Sequence, residues 1–241
     1  MMRPYELSAV FRHDSGLEVA TMLSELYRLV PDLLACSPML DKWLLKGNTR
    51  EEALLYSVFG PTGPTTSAIA VLTESLTHDI DPRIVSIWNG RGGSEGASVQ
   101  YVGRLLPETS MVVVRAKPQA FSKNWEPAAN LIRKSTEIWF PDVIAIESAG
   151  YFGKKVFKDR PGVGWMLYLP LKLTVQQVPE ARALLPVMSK DAKGMDIQTG
   201  TIIVSVTDAP FSDEDPEHVK IANAIEIRLV DQDLLPRYTD L

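Results

Sequence analysis

The chain has 241 residues, of which 45% are hydrophobic, and its formal net charge is -5 at pH 7. This length and apolar content are sufficient for a substantial core without disulfides or a structural metal. The acidic balance argues against generic nucleic-acid binding, which requires a surplus of lysine and arginine on one face. The negative net charge suits a basic protein partner better than a nucleic acid.

The single cysteine, Cys36, has no partner for an internal disulfide and lies in no CxxC or zinc-ligand pattern. We therefore expect a reduced, buried thiol. The first residues lack the apolar core and cleavage site of a signal peptide. No apolar run approaches the roughly 18 residues that span a bilayer. The sequence predicts a cytoplasmic protein that is neither exported nor embedded in a membrane.

Two helices in the first part of the chain are marked by capping boxes, in which a Ser or Thr precedes a Glu by three residues. The box at 15–18 begins an amphipathic helix that is predicted to end at Pro31. The box at 49–52 begins a helix predicted to end near Phe59. The other elements predicted before residue 141 are a strand over 5–12, a helix over 65–76, three antiparallel strands over 83–88, 97–101 and 111–115, and a helix over 123–139.

The rest of the chain is predicted to hold strands over 142–147, 164–171 and 200–206, with a short helix over 179–185. A last helix is predicted to begin at Pro216, because Asp215 is a suitable N-cap and proline is favoured at the first helical position. Strands thus precede a long helix in each half of the chain. We expect an α+β fold with a largely antiparallel sheet, built from halves at 1–140 and 141–241 that pack together as one unit.

No recognised catalytic, nucleotide or metal-binding pattern is found. The glycine cluster at 90–96 lacks the GxGxxG register and leads into a strand, which is typical of a hairpin turn. His13, His78 and His218 lie in unrelated segments without the i,i+4 spacing of metal ligands. Ser37 and Ser148 lie near turns, and neither has the Gly-x-Ser-x-Gly setting of a hydrolase nucleophile. We therefore predict no catalytic residue, no metal and no cofactor.

Two charged clusters and two tryptophans are candidates for binding. The basic cluster at 154–160 is interpreted as a solvated hairpin rim rather than a nucleic-acid contact. The acidic run at 213–217 suits a basic partner and equally suits the N-terminus of a helix, so both interpretations stay open. Tryptophans often anchor protein interfaces. The candidate partner-binding residues are Asp213, Glu214, Asp215, Glu217, Trp88 and Trp43.

Several short motifs follow one another between residues 36 and 142. They are Cys36-Ser37-Pro38, Trp43 with Lys46-Gly47, Ile87-Trp88-Asn89-Gly90 and Trp139-Phe140-Pro141-Asp142. In this order, and in a chain of this length, they resemble the immunity protein fifty-two family of bacterial polymorphic toxin systems. The resemblance implies a cytoplasmic protein that tightly binds a cognate toxin, here a restriction-endonuclease-like nuclease of a type VI secretion system, and so protects the cell's DNA.

The family's interface residues match no motif in this chain, so contact positions are assigned from charge. In one mode of inhibition, the acidic run imitates phosphates over the nuclease cleft. In the other, the protein binds away from the cleft and blocks toxin assembly. Two other classes stay open: a small hydrolase whose site only the fold assembles, and a scaffold protein without a toxin partner.

Overall fold

The computed structural model describes residues 3–12, 18–47, 49–76, 82–106, 108–117 and 124–241. The strands are β1 (Tyr5–Arg12), β2 (Leu44–Leu45), β3 (Phe59–Gly60), β4 (Gly63–Pro64), β5 (Arg83–Trp88), β6 (Ala97–Leu106), β7 (Thr109–Ala116), β8 (Val143–Ser148), β9 (Met166–Leu169), β10 (Ala183–Lys190) and β11 (Asp196–Val204). The α-helices are α1 (Val19–Cys36), α2 (Arg50–Ala53), α3 (Thr66–Ser75), α4 (Glu126–Trp139) and α5 (Pro216–Asp231).

Some predicted features lie outside the described residues, namely Ser15 of the first capping box, His13, His78 and the start of the helix predicted from 123. Within the described ranges, no helix is both long enough and apolar enough to cross a membrane.

A nine-stranded sheet in the order β10-β11-β9-β8-β1-β7-β6-β5-β2 organises the molecule, and its strand pairs are antiparallel. The predicted α+β class with a largely antiparallel sheet is confirmed. Strand β1 lies between β7 and β8, with Tyr5 opposite both Ala116 and Ser148. One sheet therefore contains strands from both halves that the sequence distinguished.

The residues of β1 alternate between two environments, as expected for a strand with one covered face. Tyr5, Leu7, Ala9 and Phe11 are buried, whereas the residues between them are partly exposed. The ring of Phe11 stacks on that of Trp139 in α4, with 5.5 Å between centroids. Helices α1 and α4 therefore cover this face of the sheet.

One carboxylate joins both covering helices to the sheet. Glu25 of α1 accepts hydrogen bonds from the hydroxyl of Tyr101 in β6 at 2.8 Å and from Nε1 of Trp139 in α4 at 2.9 Å. Both donors belong to buried side chains, so each requires an acceptor inside the protein.

We predict that Glu25→Ala lowers the free energy of unfolding by about 2–4 kcal/mol, because two buried donors lose their acceptor. Urea unfolding followed by circular dichroism measures the loss. Glu18→Ala is the matched control, because Glu18 precedes the same helix and its side chain makes no capping bond. Equal unfolding midpoints for the two variants would contradict the assigned role of Glu25.

The predicted end of the first helix at Pro31 is wrong, since α1 continues to Cys36 with Pro31 inside it. Proline removes one helical hydrogen bond, at a cost of roughly 3 kcal/mol. Leu29, Leu33 and Cys36 are all buried, so the apolar stripe extends past the proline. Burial of that stripe outweighs the lost hydrogen bond.

The helix predicted from the second capping box is shorter than expected, although Thr49 does cap it. It ends at Ala53, because the following segment turns back toward residues 43–45. The N–H of Val58 donates to the carbonyl of Trp43 at 2.9 Å, and that of Leu45 to the carbonyl of Tyr56 at 3.2 Å. Tertiary pairing overrides the local helical preference here.

The short helix predicted over 179–185 is wrong, because the chain from Ala183 forms strand β10. A short apolar run has no periodicity that separates a helix from a strand. Pro186 lies within β10 and pairs with Thr201. Proline is tolerated there because β10 is at the edge of the sheet.

Candidate functional site

Helix α5 begins as predicted, with Pro216 at its first position and Asp215 as N-cap. Oδ1 of Asp215 accepts hydrogen bonds from the N–H groups of Glu217 at 2.9 Å and His218 at 3.4 Å. Its Oδ2 lies 3.7 Å from Nε2 of His218. The carboxylate of Asp215 thus stabilises the helix start, whatever else it contacts.

Asp213 does not belong to the exposed surface that the sequence predicted, because its exposure is only 5%. Its Oδ1 accepts a hydrogen bond from the hydroxyl of Ser148, and its Oδ2 lies 3.8 Å from Nη1 of Arg3. Lys154 donates to its carbonyl oxygen. Asp213 therefore ties α5 to the end of β8, and its side chain is largely shielded from a partner.

Glu214 and Glu217 are the exposed members of the acidic run. Oε2 of Glu217 lies 3.4 Å from Nζ of Lys220, and both side chains are more than 70% exposed. Such surface pairs stabilise a protein by only about 0–1 kcal/mol. Among the described residues, the carboxylate of Glu214 has no ion pair or hydrogen bond. These two carboxylates are available to a partner.

An open cleft of about 610 Å³ runs beside this acidic end, along the outer side of α5. Its lining includes Glu214 and Lys220 at the rim and the apolar side chains of Val219, Ala224 and Ile227. Ile227 is 44% exposed, whereas Ile225 on the same helix is buried. The cleft therefore combines apolar surface with charges of both signs.

We expect Asp215→Ala to destabilise the protein by about 1 kcal/mol, because two helical N–H groups lose their acceptor. Glu214→Ala serves as the control and is expected to stay within about 0.5 kcal/mol of the wild type, as an exposed side chain without an internal partner. Thermal unfolding of both variants measures the difference. A Glu214→Ala loss as large as that of Asp215→Ala would contradict this division of the run.

A buried carboxylate holds the middle of α5 in place. Glu226 is fully buried, and its Oε1 accepts hydrogen bonds from the hydroxyl of Tyr151 at 2.7 Å and the N–H of Val163 at 3.2 Å. Its Oε2 accepts from the N–H of Val156 at 2.9 Å. Hydrogen bonds of this kind compensate a carboxylate for the loss of water. They also fix α5 against the loop that follows β8.

The basic cluster at 154–160 lies in the connection between the antiparallel strands β8 and β9, and Lys154 and Lys158 are exposed there, as the predicted hairpin rim requires. Lys155 differs from that prediction. Lys155 is buried, and its Nζ donates to the carbonyl of Arg160 at 2.6 Å and to the hydroxyl of Tyr238 at 3.2 Å. Nζ also lies 4.9 Å from the ring centroid of Phe152. Burial lowers the pKa of Lys155, while Glu147 and Glu226 oppose that shift. The cluster stabilises the structure rather than forming a free cationic patch.

In the carboxylate of Glu147, Oε2 is buried and has no hydrogen-bond partner within the part of the chain that the structure describes. Burial raises its pKa to about 7, and Glu6, directly opposite on β1, adds to the shift. Lys155 opposes it. A Cβ placed on Gly162 would lie 2.4 Å from this oxygen, so the glycine closes over the carboxylate. Little space is left beside it for a substrate.

The raised pKa makes stability depend on pH. Glu147 has an ordinary pKa of 4.5 and a folded pKa of about 7. The folded state therefore binds the proton more tightly, and this stabilisation, complete below 4.5, is lost as pH rises through about 7. We predict that Glu147→Gln is more stable than the wild type at pH 8, by on the order of 2 kcal/mol.

Urea unfolding at intervals from pH 4 to pH 8 measures this effect, with Glu51→Gln as the exposed control. Near pH 4 the wild type and Glu147→Gln are expected to differ little, because both side chains are then neutral. A Glu147→Gln variant that is less stable than the wild type at pH 8 would show that Lys155 stabilises the ionised carboxylate by more than its burial costs, contrary to this prediction.

The two candidate tryptophans are placed differently. Trp43 is only 2% exposed, so its side chain is shielded from a binding partner. Trp88 is half-buried, and its Nε1 donates to the carbonyl of Leu45 at 3.1 Å. In the sheet register, Trp88 of β5 and Glu147 of β8 lie in the same row, four strands apart. That separation is roughly 19 Å.

Trp88 and the acidic run therefore do not form one compact site, although both lie toward the same end of the sheet. Sequence reasoning also missed the buried ionisable residues of α5 and β8. A signal was present for Glu226, because it occupies a helical position between the inward-facing Ile225 and Leu229. A glutamate on an apolar helix face requires internal donors.

Within the described ranges, no group of three or more His, Cys, Asp or Glu side chains is arranged to hold a metal ion. No protein-family model matches the chain, and no curated protein sequence does. The resemblance to the immunity protein fifty-two family therefore stays a prediction.

Among solved structures, the chain is similar to a type VI secretion system (T6SS) protein of Pseudomonas aeruginosa. The TM-score is 0.48 and the sequence identity 9%, over 93% of this chain and 73% of that one. A similarity of this degree transfers neither an activity nor a partner to this chain.

Proposed function

We propose that this chain is an immunity protein that binds and neutralises a cognate restriction-endonuclease-like toxin of a type VI secretion system. Its place of action is then the cytoplasm of the producing cell, where the toxin would otherwise cut DNA. The proposal joins what the family resemblance implies to one observation. That observation is the exposed pair Glu214 and Glu217 at the start of α5, of which Glu214 also lines the cleft.

Exposed carboxylates suit a nuclease partner, because a DNA-binding surface carries lysine and arginine. Complementary charge mainly raises the association rate and the specificity of a protein complex. The apolar side chains of the same cleft supply the contact area that holds a complex once it has formed. Both kinds of surface lie between Glu214 and Ile227, on or directly before one helix that Glu226 fixes to the loop after β8.

We propose further that the protein acts by binding and not by catalysis. A hydrolase would require convergent titratable groups beside a cavity. Glu147, Lys155 and Glu226 do converge, but their polar atoms are engaged in the fold or closed over by Gly162. None of these three side chains lines the cleft on α5 or the cavities beside Pro170.

The test uses the nuclease encoded beside this chain's gene, because an immunity gene is expected to neighbour its toxin gene. We expect the two purified proteins to co-elute at equimolar amounts, and DNA cleavage by the nuclease to be abolished. Plasmid cleavage is measured with and without this protein, at equal nuclease concentration. No complex together with undiminished cleavage would overturn the proposal for that pair and favour the scaffold or hydrolase alternatives.

A charge-reversal variant then tests whether the acidic rim takes part. Glu214→Lys combined with Glu217→Lys is expected to slow association at least tenfold at low salt, because two attractive charges become repulsive. Glu51→Lys combined with Glu52→Lys, in α2, is the matched control and should leave the rate within about threefold. Surface plasmon resonance measures both. Equal rates for the two double variants would remove the rim from the interface.

A further inference from the structure

Three carboxylates and one lysine come together between β8, α5 and the loop that follows β8. Glu6, directly opposite Glu147, is paired with Arg115 at 2.7 Å. Lys155 interacts with both Glu147 and Glu226, but its single charge balances one of them. Glu226 has three hydrogen-bond donors of its own, whereas Oε2 of Glu147 has none among the described residues. An ionised Glu147 is therefore a buried charge without compensation.

The ammonium of Lys155 is engaged away from Glu147. Its Nζ donates to the carbonyl of Arg160 at 2.6 Å and to the hydroxyl of Tyr238 at 3.2 Å. The carboxylate of Glu147 is nevertheless close, because a Cβ on Gly162 would lie 2.4 Å from its Oε2 and 3.3 Å from Cδ of Lys155. Lysine has a flexible stem with rotatable donors. Rotation about the last bonds of Lys155 thus turns Nζ from its present acceptors toward Oε2.

The loop that Lys155 closes also holds the segment 235–241. The N–H of Tyr238 donates to the carbonyl of Asp159 at 2.9 Å, and the guanidinium of Arg160 donates to the carbonyl of Leu235. The segment forms one wall of a cavity of about 400 Å³, and the end of β9 lies on the other side. Access to this cavity therefore depends on how firmly the loop holds the segment.

Beyond Tyr238 the segment is attached by longer hydrogen bonds. Arg12 donates to the carbonyl of Asp240 at 3.3 Å, and Thr109 donates to the carbonyl of Leu241 at 3.4 Å. These bonds lie at the far end of the segment. The position of Tyr238 itself depends on the loop.

We propose that Glu147 and Lys155 form a pH switch that controls the attachment of the segment 235–241. While Glu147 carries a proton, Lys155 binds Arg160 and Tyr238, and the segment is closed over the cavity. When Glu147 releases its proton to solvent, the ammonium turns to the new carboxylate. The carbonyl of Arg160 and the hydroxyl of Tyr238 then lose their donor, so the segment opens at Tyr238. This inference does not depend on the proposed function.

The direction of the switch follows from proton binding. In the closed state, burial raises the pKa of Glu147 from 4.5 to about 7, and Glu6 and Glu226 add to the shift. The closed state therefore binds the proton more tightly than an open state in which Lys155 meets the carboxylate. Closure is favoured most below 4.5 and is lost as pH rises through about 7.

The other ionisable groups around the switch do not impose this pH dependence. Burial raises the pKa of Tyr238 to about 12 and also raises that of Tyr151, so both phenols are neutral at pH 8. Lys158 and Asp159 act on Lys155 in opposite directions. Opening is therefore expected to follow the titration of the carboxyl group on β8.

Hydrogen exchange of the Tyr238 amide tests the switch, because this N–H is bonded to Asp159 in the closed state. Protection is the ratio of the intrinsic to the observed exchange rate. We expect wild-type protection to fall about tenfold between pH 5.5 and pH 8, as a local opening. In Glu147→Gln it should change less than about twofold, because the side chain cannot ionise. Glu51→Gln is the exposed control and should behave like the wild type.

Tyr238→Phe removes the hydroxyl that Lys155 binds and keeps the ring. It is expected to lower protection of the amide at position 238 about threefold at pH 5.5, the effect of one hydrogen bond. Thermal unfolding confirms that each variant folds. Amides of β6 report opening of the whole sheet and should keep their protection at both pH values.

Three results would overturn the inference. The first is wild-type protection of the Tyr238 amide that does not change with pH, or that falls equally in Glu147→Gln. The second is full protection at pH 5.5 in Tyr238→Phe. The third is an equal loss of protection in β6, because the whole fold would then open and not the segment. None of these results bears on nuclease binding, which the co-elution and cleavage experiment tests separately.

Discussion

The carboxylate of Glu226 is the point at which the last helix is joined to the rest of the molecule. It has no contact with solvent, and it accepts hydrogen bonds from Tyr151, Val156 and Val163. A buried carboxylate without such donors is strongly unfavourable, so the loop and the helix adopt their arrangement together. The outer side of α5, with its cleft, is consequently presented in one fixed orientation.

Neighbouring residues of the acidic run have opposite roles because the run lies at the turn that begins α5. Some of its side chains face the protein interior there and others face solvent. Asp213 and Asp215 face inward or toward the helix N–H groups, and Glu214 and Glu217 face solvent. One run can therefore stabilise a helix and present charge to a partner. The same arrangement limits the external charge, because the carboxylate of Asp213 pairs with Arg3 and its backbone carbonyl accepts a hydrogen bond from Lys154 at this end of the helix.

Much of the fold could be predicted from the sequence. The strands β1, β5 and β7 and the start of α5 follow directly from alternation and capping, since these signals depend on residues close together in the chain. The errors have a common cause. The extent of α1 past Pro31, the short α2 and the strand at 183–190 were each decided by contacts with distant segments. Local preference is weak compared with such burial and pairing.

The sequence by itself determined the fold class, the N-cap at Asp215 and the position of the acidic run. Only the tertiary structure decided which acidic side chains reach solvent. Asp213 is buried because Ser148 and Arg3, both far away in the chain, meet it at the end of β8. Trp43 is buried in the hydrophobic core, also through contacts that only folding creates. Charge and residue type are properties of the sequence, whereas exposure and pairing depend on residues that only folding brings together.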